Sequence, residues 1–566
     1  MTKRYYVNVR QTVKGHCEIF FQLIIYDIRK IISQRNDTLK VLLVSPDYPQ
    51  TFWSFNRVLK MTGKKALVPP LGLITVAALL PSDWRLELVD MVFQRISDSQ
   101  WDACDMVFIS GMGVQAQGIL EVTREAKRRG KRVVIGGPWV FHYPEDAFAA
   151  GADIVVKGEA ETVIDELLAA IADEASGKII YSEDKPDLQR SPAPRFDLLD
   201  MKSYANMAVQ FSRGCPFQCE FCDITLMLGR RVRTKTPDQI LAELQSLYDL
   251  GWRRWVFFVD DNFIGNITMA KALLKRLIPW MEERKRPFGF YTQASVNMGS
   301  DETLLELMYA AGFFRVFLGI ETPDEESLIG AKKFQNVNTD LDKVCERITR
   351  AGFQIIAGAI IGFDNEKPGA GARLVEFARR NRIPELFTSL LQVGPGTDLC
   401  KRMEREKRLV SLDYKYLSNQ TGLINFVPTR PISEIVEEYM YVYRTLYEPK
   451  EYIKRVYECF ESMDPPKIKK FFRLPYLKEL RAVLITTLRQ GLLYPSRNVF
   501  WKYFFKALWN FPSRFDRYIT ACVEAEHYFD FRQTIYREIE FQMHSMDEQT
   551  KSRYEVARSL SPVSGR

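Results

Sequence analysis

The chain has 566 residues, a formal net charge of +8, 46% hydrophobic and 27% charged residues, which is ordinary for a globular protein of about three or four domains. No apolar run reaches the roughly 18 residues that a membrane span requires, and the first residues lack the pattern of a secretory signal. Residues 1–400 show no basic stripe interleaved with stacking aromatics, which argues against nucleic acid as a partner. Nine cysteines, isolated from one another outside residues 215–222, indicate a reducing cytoplasm.

Residues 1–37 show no clear period and are interpreted as an N-terminal extension without an assigned role. Over residues 38–180, short apolar runs such as LKVLLVSP, MVFISGM, KRVVIGGP and DIVVKGE alternate with helical segments. This alternation predicts a doubly wound α/β domain with a Rossmann-like parallel sheet.

Small residues follow the predicted strands of this first domain. In doubly wound sheets a ligand lies beyond the carboxyl ends of the strands, where missing side chains let a flat or phosphate-bearing group approach the backbone. Glycine also follows strands in α/β domains that bind nothing, so this pattern leaves both interpretations open. The candidate ligand-binding residues are Ser110, Gly111, Gly136, Gly137, Gly158 and Glu159.

A polar, proline-bearing linker is predicted over residues 181–199, and a second alternation of strands and helices follows over 200–415. Its six strands are ANMAVQFS, RRWVFFVD, FGFYTQAS, FRVFLGIE, QIIAGAIIGF and ELFTSLLQV. Six βα units predict an open, partial (β/α)6 barrel, whose chemistry should lie at the carboxyl ends of the strands. Residues 416–566 are rich in aromatic and basic residues, and we predict a mainly helical domain there.

Three cysteines come directly after the first barrel strand, in the stretch FSRGCPFQCEFCDIT. Cys215, Cys219 and Cys222 are spaced by four and then three residues, and thiolates this close bind a soft metal. A structural zinc site needs four ligands, yet the next cysteine in the sequence is Cys345 and the chain has four histidines. A four-iron cluster held by three cysteines leaves one iron open to a substrate or cofactor, so the pattern favours a catalytic cluster over zinc.

The C-x3-C-x2-C spacing, with the aromatic Phe221 before the last cysteine and barrel-like strands around it, resembles the radical S-adenosylmethionine (radical SAM) family. The resemblance implies that the three cysteines hold a [4Fe-4S] cluster whose open iron binds SAM. It also implies that a reductant such as flavodoxin or ferredoxin supplies the electron. In that family the reduced cluster cleaves SAM and the resulting 5′-deoxyadenosyl radical removes hydrogen from the substrate.

The same resemblance assigns further contacts with SAM to the ends of other barrel strands. The second strand ends in FFVDDNF, which departs from the glycine-glycine-glutamate often found there, and either Asp260 or Asp261 could accept the SAM ammonium group. The segment GAIIGF resembles the family's stretch whose backbone lies along the adenine. The remaining candidate contacts are Gln293, Ser295 and Glu321, with Gly358 and Gly362 in the adenine segment.

The first domain resembles the cobalamin-binding domain that precedes many radical SAM barrels, through the stretches PPLGL, SGMG, GGPW and VVKGEAE. Domains of this type that ligate cobalt through histidine carry Asp-x-His-x-x-Gly after the first strand. Here Pro49 and Phe52 occupy the histidine and glycine positions, and His142 follows a different strand. The resemblance therefore implies bound cobalamin without a protein histidine ligand, the alternative being an unliganded flavodoxin-like domain.

The stretch YPQTFWSFNRVLKMTGKKALVPPLG and the aromatic, basic tail resemble a subgroup with an extra C-terminal domain that includes bacterial hopanoid methylases. This implies a cobalamin-dependent radical SAM C-methyltransferase that acts on an unactivated carbon of a hydrophobic substrate, such as a hopanoid or another lipid. One alternative is a cobalamin-binding radical SAM cyclase or ring-forming enzyme. Another, from a different class, is a non-catalytic metal-binding protein that binds a partner through its tail.

Residues 494–520 contain basic residues, the single acidic residue Asp516, and Trp501, Phe505 and Trp509 near helical spacing. This pattern predicts an amphipathic helix whose aromatic face either packs on the barrel or lies in a bilayer interface. The second alternative predicts a cytoplasmic protein in peripheral contact with the inner face of the membrane.

Overall fold

The structure is a computed structural model of the 566-residue chain, and it describes residues 38–410, 420–466, 477–546 and 548–556. The predicted N-terminal extension, residues 1–37, lies outside the described residues. Two six-stranded parallel sheets are followed by a helical region, as the fold class predicted. Within the described ranges, we find no helix that combines the length and apolar character needed to cross a membrane.

The first sheet has the spatial order β2-β1-β3-β4-β5-β6, with all strands parallel. Its strands are β1 (Lys40–Ser45), β2 (Arg85–Asp90), β3 (Met106–Ser110), β4 (Arg132–Gly136), β5 (Ile154–Lys157) and β6 (Lys178–Tyr181). The helices of this part are α1 (Asn56–Thr62), α2 (Leu71–Ala77), α3 (Asp98–Ala103), α4 (Ala116–Arg128), α5 (Pro138–His142), α6 (Pro144–Ala149) and α7 (Ala160–Ala172). Residues 41–44 of β1 are buried on both faces because helices cover both sides of the sheet.

The second sheet is parallel in the order β7-β10-β11-β12-β13-β14, and its edge strands β7 and β14 are not hydrogen-bonded to each other. The barrel is therefore open, as predicted. Its strands are β7 (Met207–Val209), β10 (Trp255–Phe258), β11 (Gly289–Ala294), β12 (Phe313–Glu321), β13 (Gln354–Ile361) and β14 (Glu385–Leu390), with the small antiparallel pair β8 (Ser212–Arg213) and β9 (Arg233–Thr234) beside them. Its helices are α8 (Ile224–Leu228), α9 (Pro237–Asp249), α10 (Ile267–Glu283), α11 (Glu302–Ala311), α12 (Glu325–Gly330), α13 (Leu341–Arg350), α14 (Ala370–Arg380) and α15 (Asp398–Arg405).

The C-terminal part is helical, as predicted. Its helices are α16 (Ile432–Leu446), α17 (Pro449–Glu461), α18 (Leu477–Leu488), α19 (Arg497–Asn510), α20 (Phe515–Ser545) and α21 (Glu548–Val556). The window 494–520 is divided, because α19 ends at Asn510 and a 3-10 turn at Pro512–Arg514 precedes α20. Proline lacks the N–H that a continuous helix would need at this point. The prediction of one helix over this window is wrong in that respect.

Helix α20 closes the end of the barrel at which β12, β13 and β14 begin. The guanidinium of Arg315 donates to Glu524 of α20 at 2.6 Å and lies 3.6 Å from Glu385. It also donates to Gln354 at 3.2 Å. All these side chains are buried, so two carboxylates share one cation in a region of low dielectric constant.

We expect Arg315→Met to destabilise the contact between α20 and the barrel by about 3–5 kcal/mol, because it leaves buried carboxylates without their cation. Thermal unfolding should shift to lower temperature, and limited proteolysis should release the C-terminal part. A matched control is Arg276→Met, since Arg276 and Asp238 form an ion pair that is largely exposed. Equal thermal shifts in the two variants would contradict this account.

Candidate active site

The loop between β8 and α8 carries Cys215, Cys219 and Cys222, all half-buried and free of disulfides. Gly214 begins it with φ 94°, and a Cβ at this position would lie 2.8 Å from the carbonyl oxygen of Gly229. The Cys215 N–H donates to the same carbonyl at 3.2 Å, and the Cys222 N–H donates to Cys219 O at 3.1 Å. Burial raises the pKa of the Cys222 thiol, and the nearby Cys219 and Cys215 raise it further.

The three thiols are neighbours, yet no three His, Cys, Asp or Glu side chains among the described residues surround one point as a single metal ion requires. A tetrahedral zinc ion draws all its ligands to about 2.0–2.3 Å from one centre. In a four-iron cluster each thiolate instead binds its own iron, so the sulfur atoms stay farther apart. A [4Fe-4S] cluster held by these three cysteines stays the prediction that their spacing supports.

Glu220 and Phe221, between the second and third cysteines, anchor the loop to the barrel. The Glu220 carboxylate accepts from Nη2 and Nε of Arg402, at 2.6 and 3.1 Å. The backbone N–H of Glu220 donates to Ala331 O. The Phe221 ring packs 6.2 Å from that of Phe363, which follows β13. The position of the cysteines thus depends on α15 as well as on the barrel strands.

Asp260 and Asp261 follow β10, and the structure distinguishes them. The carboxylate of Asp260 accepts from the N–H groups of Phe211 and Ser212 and from the Ser212 hydroxyl, which brace the chain just before the cysteine loop. Asp261 has a buried Oδ2 without a hydrogen-bond partner among the described residues. Burial and the neighbouring Asp260 raise the pKa of Asp261 to about 7. Asp261 is therefore the carboxylate that remains available to a cationic group.

Gln293 and Ser295 lie at the end of β11, the next strand. The Ser295 hydroxyl accepts from Asn262 Nδ2 at 3.1 Å and donates to Asn297 Oδ1 at 2.5 Å. Ser295 also lines a cavity of about 400 Å³ that reaches Phe217 in the cysteine loop. The structure thus brings the end of β11 and the cysteine loop to one cavity, and the roles of Gln293 and Ser295 as SAM contacts stay predictions.

Glu321 ends β12 in a left-handed conformation, with φ 63°, which a residue with a side chain seldom adopts. Its carboxylate accepts from the ammonium of Lys333 at 2.6 Å. Burial alone would lower the pKa of Lys333, but Glu321 and then Cys219 outweigh it and raise that pKa overall. Gln335 donates to Cys219 Sγ at 3.4 Å. Lys333 and Gln335 were missed from the sequence, because nothing in its local pattern distinguishes a buried lysine from a surface one.

Gly358 and Gly362 lie at the middle and just past the end of β13. A Cβ on Gly358 would come within 2.7 Å of the Phe317 ring, so this glycine makes room for an aromatic side chain of β12. Gly362 has φ 107°, and its N–H donates to Glu366 at 2.9 Å. The contact of this segment with adenine stays a prediction, and at Gly358 the Phe317 ring already lies against the strand.

The small residues predicted in the first domain meet at one edge of its sheet. Ser110 pairs with Gly136 across β3 and β4, and a Cβ on Gly137 would lie 2.5 Å from Ser110 Oγ. Gly158, which follows β5, has φ 92° and open space where a side chain would project. This edge, together with Gly111, is a cradle of small residues, and the roles of these residues as cobalamin contacts stay predictions.

The same edge of the sheet faces the cysteine loop of the barrel. Glu159, which follows Gly158, is ion-paired with Arg213 of β8 and Arg233 of β9, both at 2.8 Å. His142 Nε2 lies 3.3 Å from Oδ2 of Asp223, the residue after Cys222. The carboxylate of Glu159 thus joins the first domain to the β8–β9 pair beside the barrel, and its role as a cofactor contact stays a prediction.

Aromatic side chains line the concave face of the barrel sheet, opposite its helices. Trp53, in the loop between β1 and α1, stacks on Phe387 of β14 with ring centroids 5.4 Å apart and meets Phe317 of β12 edge-on at 5.9 Å. Phe257 of β10 stacks on Tyr291 of β11 at 4.6 Å. We call Trp53, Phe257, Phe317 and Phe387 the aromatic wall. All four are half-buried. Alternation along the strands could have indicated Phe257, Phe317 and Phe387, whereas no local pattern indicates Trp53, which lies in a loop.

Family models match three parts of the chain: a B12 binding domain over residues 64–168, the Radical SAM superfamily over 209–378, and a domain of unknown function (DUF4070) over 397–541. An uncharacterised methyltransferase of Synechocystis sp. is 46% identical over 501 residues, which cover 88% of this chain and 93% of the relative. The hopanoid C-2 methylase of Rhodopseudomonas palustris is 33% identical over 421 residues, which cover 74% and 78%.

Among solved structures, the radical SAM methyltransferase TsrM of Kitasatospora setae, with cobalamin and a [4Fe-4S] cluster bound, aligns with a TM-score of 0.57 at 15% identity. The alignment covers 87% of this chain and 99% of TsrM. Fold, site and sequence relatives agree: the chain belongs to the cobalamin-binding radical SAM family. It is an enzyme, with a [4Fe-4S] cluster, SAM and cobalamin as its cofactors, which confirms those predictions and excludes the non-catalytic alternative.

We expect Asp261→Asn to weaken SAM binding about tenfold or more, because it removes the buried carboxylate that faces the site. In the parent protein, SAM affinity should fall as the pH drops through about 7, since Asp261 then becomes protonated and cannot attract an ammonium group. Calorimetric titration of SAM into the anaerobically reconstituted enzyme measures both effects. Asp260→Asn is the comparison: it should lower stability, and the pH dependence should persist in that variant.

We expect cobalamin in this enzyme to lack a protein histidine ligand. Pro49 occupies the position that histidine would take, His142 contacts Asp223 in the barrel, and His527 is bonded to Phe52 O. Electron paramagnetic resonance of the cob(II)alamin form should show no imidazole nitrogen splitting. Splitting that disappears in His142→Ala would contradict the expectation.

Proposed function

We propose that this enzyme transfers a methyl group to an unactivated carbon of a hydrophobic substrate, in the class of hopanoids or other membrane lipids. The observation that carries the proposal is the aromatic wall, Trp53, Phe257, Phe317 and Phe387, on the concave face of the barrel sheet. Side chains of this type bury apolar ligand surface and offer few hydrogen bonds. The similarity to a hopanoid C-2 methylase and to an uncharacterised methyltransferase supports the same class.

An unactivated carbon has no lone pair, so it cannot take a methyl group by attacking a methyl cation donor. When bound, the three cofactors supply the electron, the hydrogen-abstracting radical and the methyl group that a radical route requires. The protein's contribution is to hold the cofactors, orient the substrate and keep water out of the site. Asp261 can accept the SAM ammonium, the edge at Gly137 and Gly158 can admit the corrin, and Trp53 can pack on an apolar substrate and keep water away from it.

The position of Trp53 favours a site shared by both sheets. Its loop belongs to the first domain, yet its ring packs on Phe317 and Phe387 of the barrel. A substrate on the aromatic wall would therefore be bounded by the part that carries the small-residue cradle and by the part that carries the cysteines. This arrangement suits a reaction in which hydrogen leaves the substrate on one side and a methyl group arrives from another.

The proposal includes two partners. The cluster needs a reductant of low potential, such as flavodoxin or ferredoxin, because cluster potentials span about −700 to +450 mV and SAM cleavage requires the low end. A lipid substrate partitions into a bilayer, so the enzyme would act in peripheral contact with the inner face of the membrane. A water-soluble substrate would make that contact unnecessary.

Anaerobic reconstitution with cluster and cobalamin, followed by turnover with labelled methyl-SAM and a hydrophobic acceptor, tests the proposal. We expect 5′-deoxyadenosine, S-adenosylhomocysteine and a product heavier by one methylene, and none of these from Cys222→Ala. Trp53→Ala should lower kcat/KM for the hydrophobic acceptor about 10- to 100-fold, because it removes apolar contact surface. Phe541→Ala is the matched control, since that ring is 63% exposed and distant in sequence from the site.

Mass spectrometry of lipid and metabolite extracts from cells with and without the gene identifies the acceptor. The proposal is supported if cells with the gene contain a lipid that is heavier by one methylene than its precursor and cells without the gene lack it. Formation of 5′-deoxyadenosine without S-adenosylhomocysteine would favour a cyclase, and methylation of a water-soluble metabolite alone would contradict the lipid assignment.

A further inference from the structure

Helix α18 presents its leucines outward and its small and polar residues inward. A surface helix of a globular protein normally buries its leucines. Here the residues packed against α1 and α20 are Ala482, Thr486 and, in the following π-helical turn, Gln490, which are 2%, 0% and 0% exposed. The opposite stripe, with the same four-residue spacing, consists of Leu480, Leu484, Leu488 and Leu492, which are 49%, 59%, 45% and 58% exposed.

Helix α19 carries a second exposed apolar stripe. Phe500 and Ala507 face inward and are fully buried, whereas Phe505, Leu508 and Trp509 are 59%, 47% and 87% exposed. The two stripes meet at Trp501, whose Nε1 donates to Gly491 O at 2.8 Å and whose ring stacks on Phe505 at 5.5 Å. Trp501 is therefore a structural link between the stripes, which corrects its predicted place among the bilayer-facing residues.

We call the exposed residues of both stripes the docking surface: Leu480, Leu484, Leu488, Leu492, Leu493, Phe505, Leu508 and Trp509. These are eight of the sixteen large hydrophobic side chains that are exposed in the described part of the chain, and they lie within thirty residues of sequence. A concentration of exposed apolar side chains marks a site of interaction with a protein or a membrane.

The chain segment that carries the docking surface is basic. Residues 480–515 contain six Lys and Arg residues and no Asp or Glu. Two of the six are used internally, because Arg489 is paired with Glu526 and Arg514 donates to Asp464 O. The other four are exposed and form no ion pair among the described residues: Arg481, Arg497, Lys502 and Lys506.

We propose that the docking surface binds the face of a bilayer that contains anionic phospholipids. Leucine and tryptophan side chains enter the acyl boundary, while lysine and arginine reach the phosphates, as in helices that lie in a membrane interface. The inference rests on the proposed function, because a hydrophobic substrate gives the enzyme a reason to reside there. It also assigns a role to part of the region that matches a domain of unknown function.

Electrostatics disfavours the two other occupants of this surface. Residues 467–476, which lie outside the described ranges, read KIKKFFRLPY, with four basic residues and no acidic one. They would bring positive charge to a positive surface. A second copy of the chain would do the same with its own four exposed cations. An anionic lipid surface has the complementary sign.

Co-sedimentation of the reconstituted full-length enzyme with vesicles tests the inference. We expect binding to vesicles of phosphatidylglycerol and phosphatidylcholine, weaker binding to phosphatidylcholine alone, and weakening by salt. Leu484→Gln/Leu492→Gln/Trp509→Gln should bind at least about tenfold more weakly, because it removes inserted apolar surface. The matched control is Ile179→Gln/Leu250→Gln/Phe541→Gln, which changes three other exposed apolar residues elsewhere and should bind like the parent.

Unchanged binding of the first triple variant, or an equal loss in the control, would overturn the inference. Failure of the parent protein to bind anionic vesicles would overturn it as well. The same holds if the parent is a dimer that becomes a monomer in the first triple variant and stays a dimer in the control. Turnover of the acceptor in detergent micelles, measured as S-adenosylhomocysteine, tests the proposed function independently of vesicle binding. Vesicle binding without methyl transfer would refute the proposed function alone, and methyl transfer in micelles without vesicle binding would refute the docking surface alone.

Discussion

The buried ion pairs of Glu159 with Arg213 and Arg233 are the interaction on which the rest of the site depends. They join the carboxyl edge of the first sheet to the two short strands that flank the cysteine loop. Burying charges this deeply is unfavourable unless they are paired. The pairs therefore fix the position of the first domain relative to β8 and β9, because any other position would leave the charges buried and unpaired. Beside these pairs, His142 of the first domain lies 3.3 Å from Asp223, the residue after Cys222.

The C-terminal region contributes to the same geometry from the other side. Glu524 of α20 closes the base of the barrel through Arg315. Within the barrel, Arg402 of α15 holds Glu220 between the second and third cysteines. Trp53, from the first domain, completes the aromatic wall on barrel strands. Each of the three parts of the chain thus supplies residues that another part needs, so none of them forms the site alone.

The acidic side chains of this site differ in whether a cation or a hydrogen-bond donor already contacts them. Asp260 accepts from backbone N–H groups, and Glu321 and Glu159 are ion-paired with Lys333 and with arginines, whereas Asp261 has a buried oxygen without a hydrogen bond and no ion pair among the described residues. An unpartnered buried carboxylate is energetically unfavourable in the absence of a cation. The division of roles between two adjacent aspartates therefore follows from which one reaches the backbone of the preceding strand.

The sequence by itself determined the order of strands and helices, the open barrel and the cysteine cluster, because strand periodicity and thiol spacing are local properties of the chain. It did not distinguish Asp260 from Asp261 as the acceptor of the SAM ammonium, and its pattern predicted one helix over residues 494–520. Only the tertiary structure decided which aspartate is free, that Phe317 covers Gly358, and that the leucines of α18 face outward. These features depend on contacts between segments that are far apart in the chain, such as Ser212 with Asp260, and no local pattern encodes which side chains will meet across such distances.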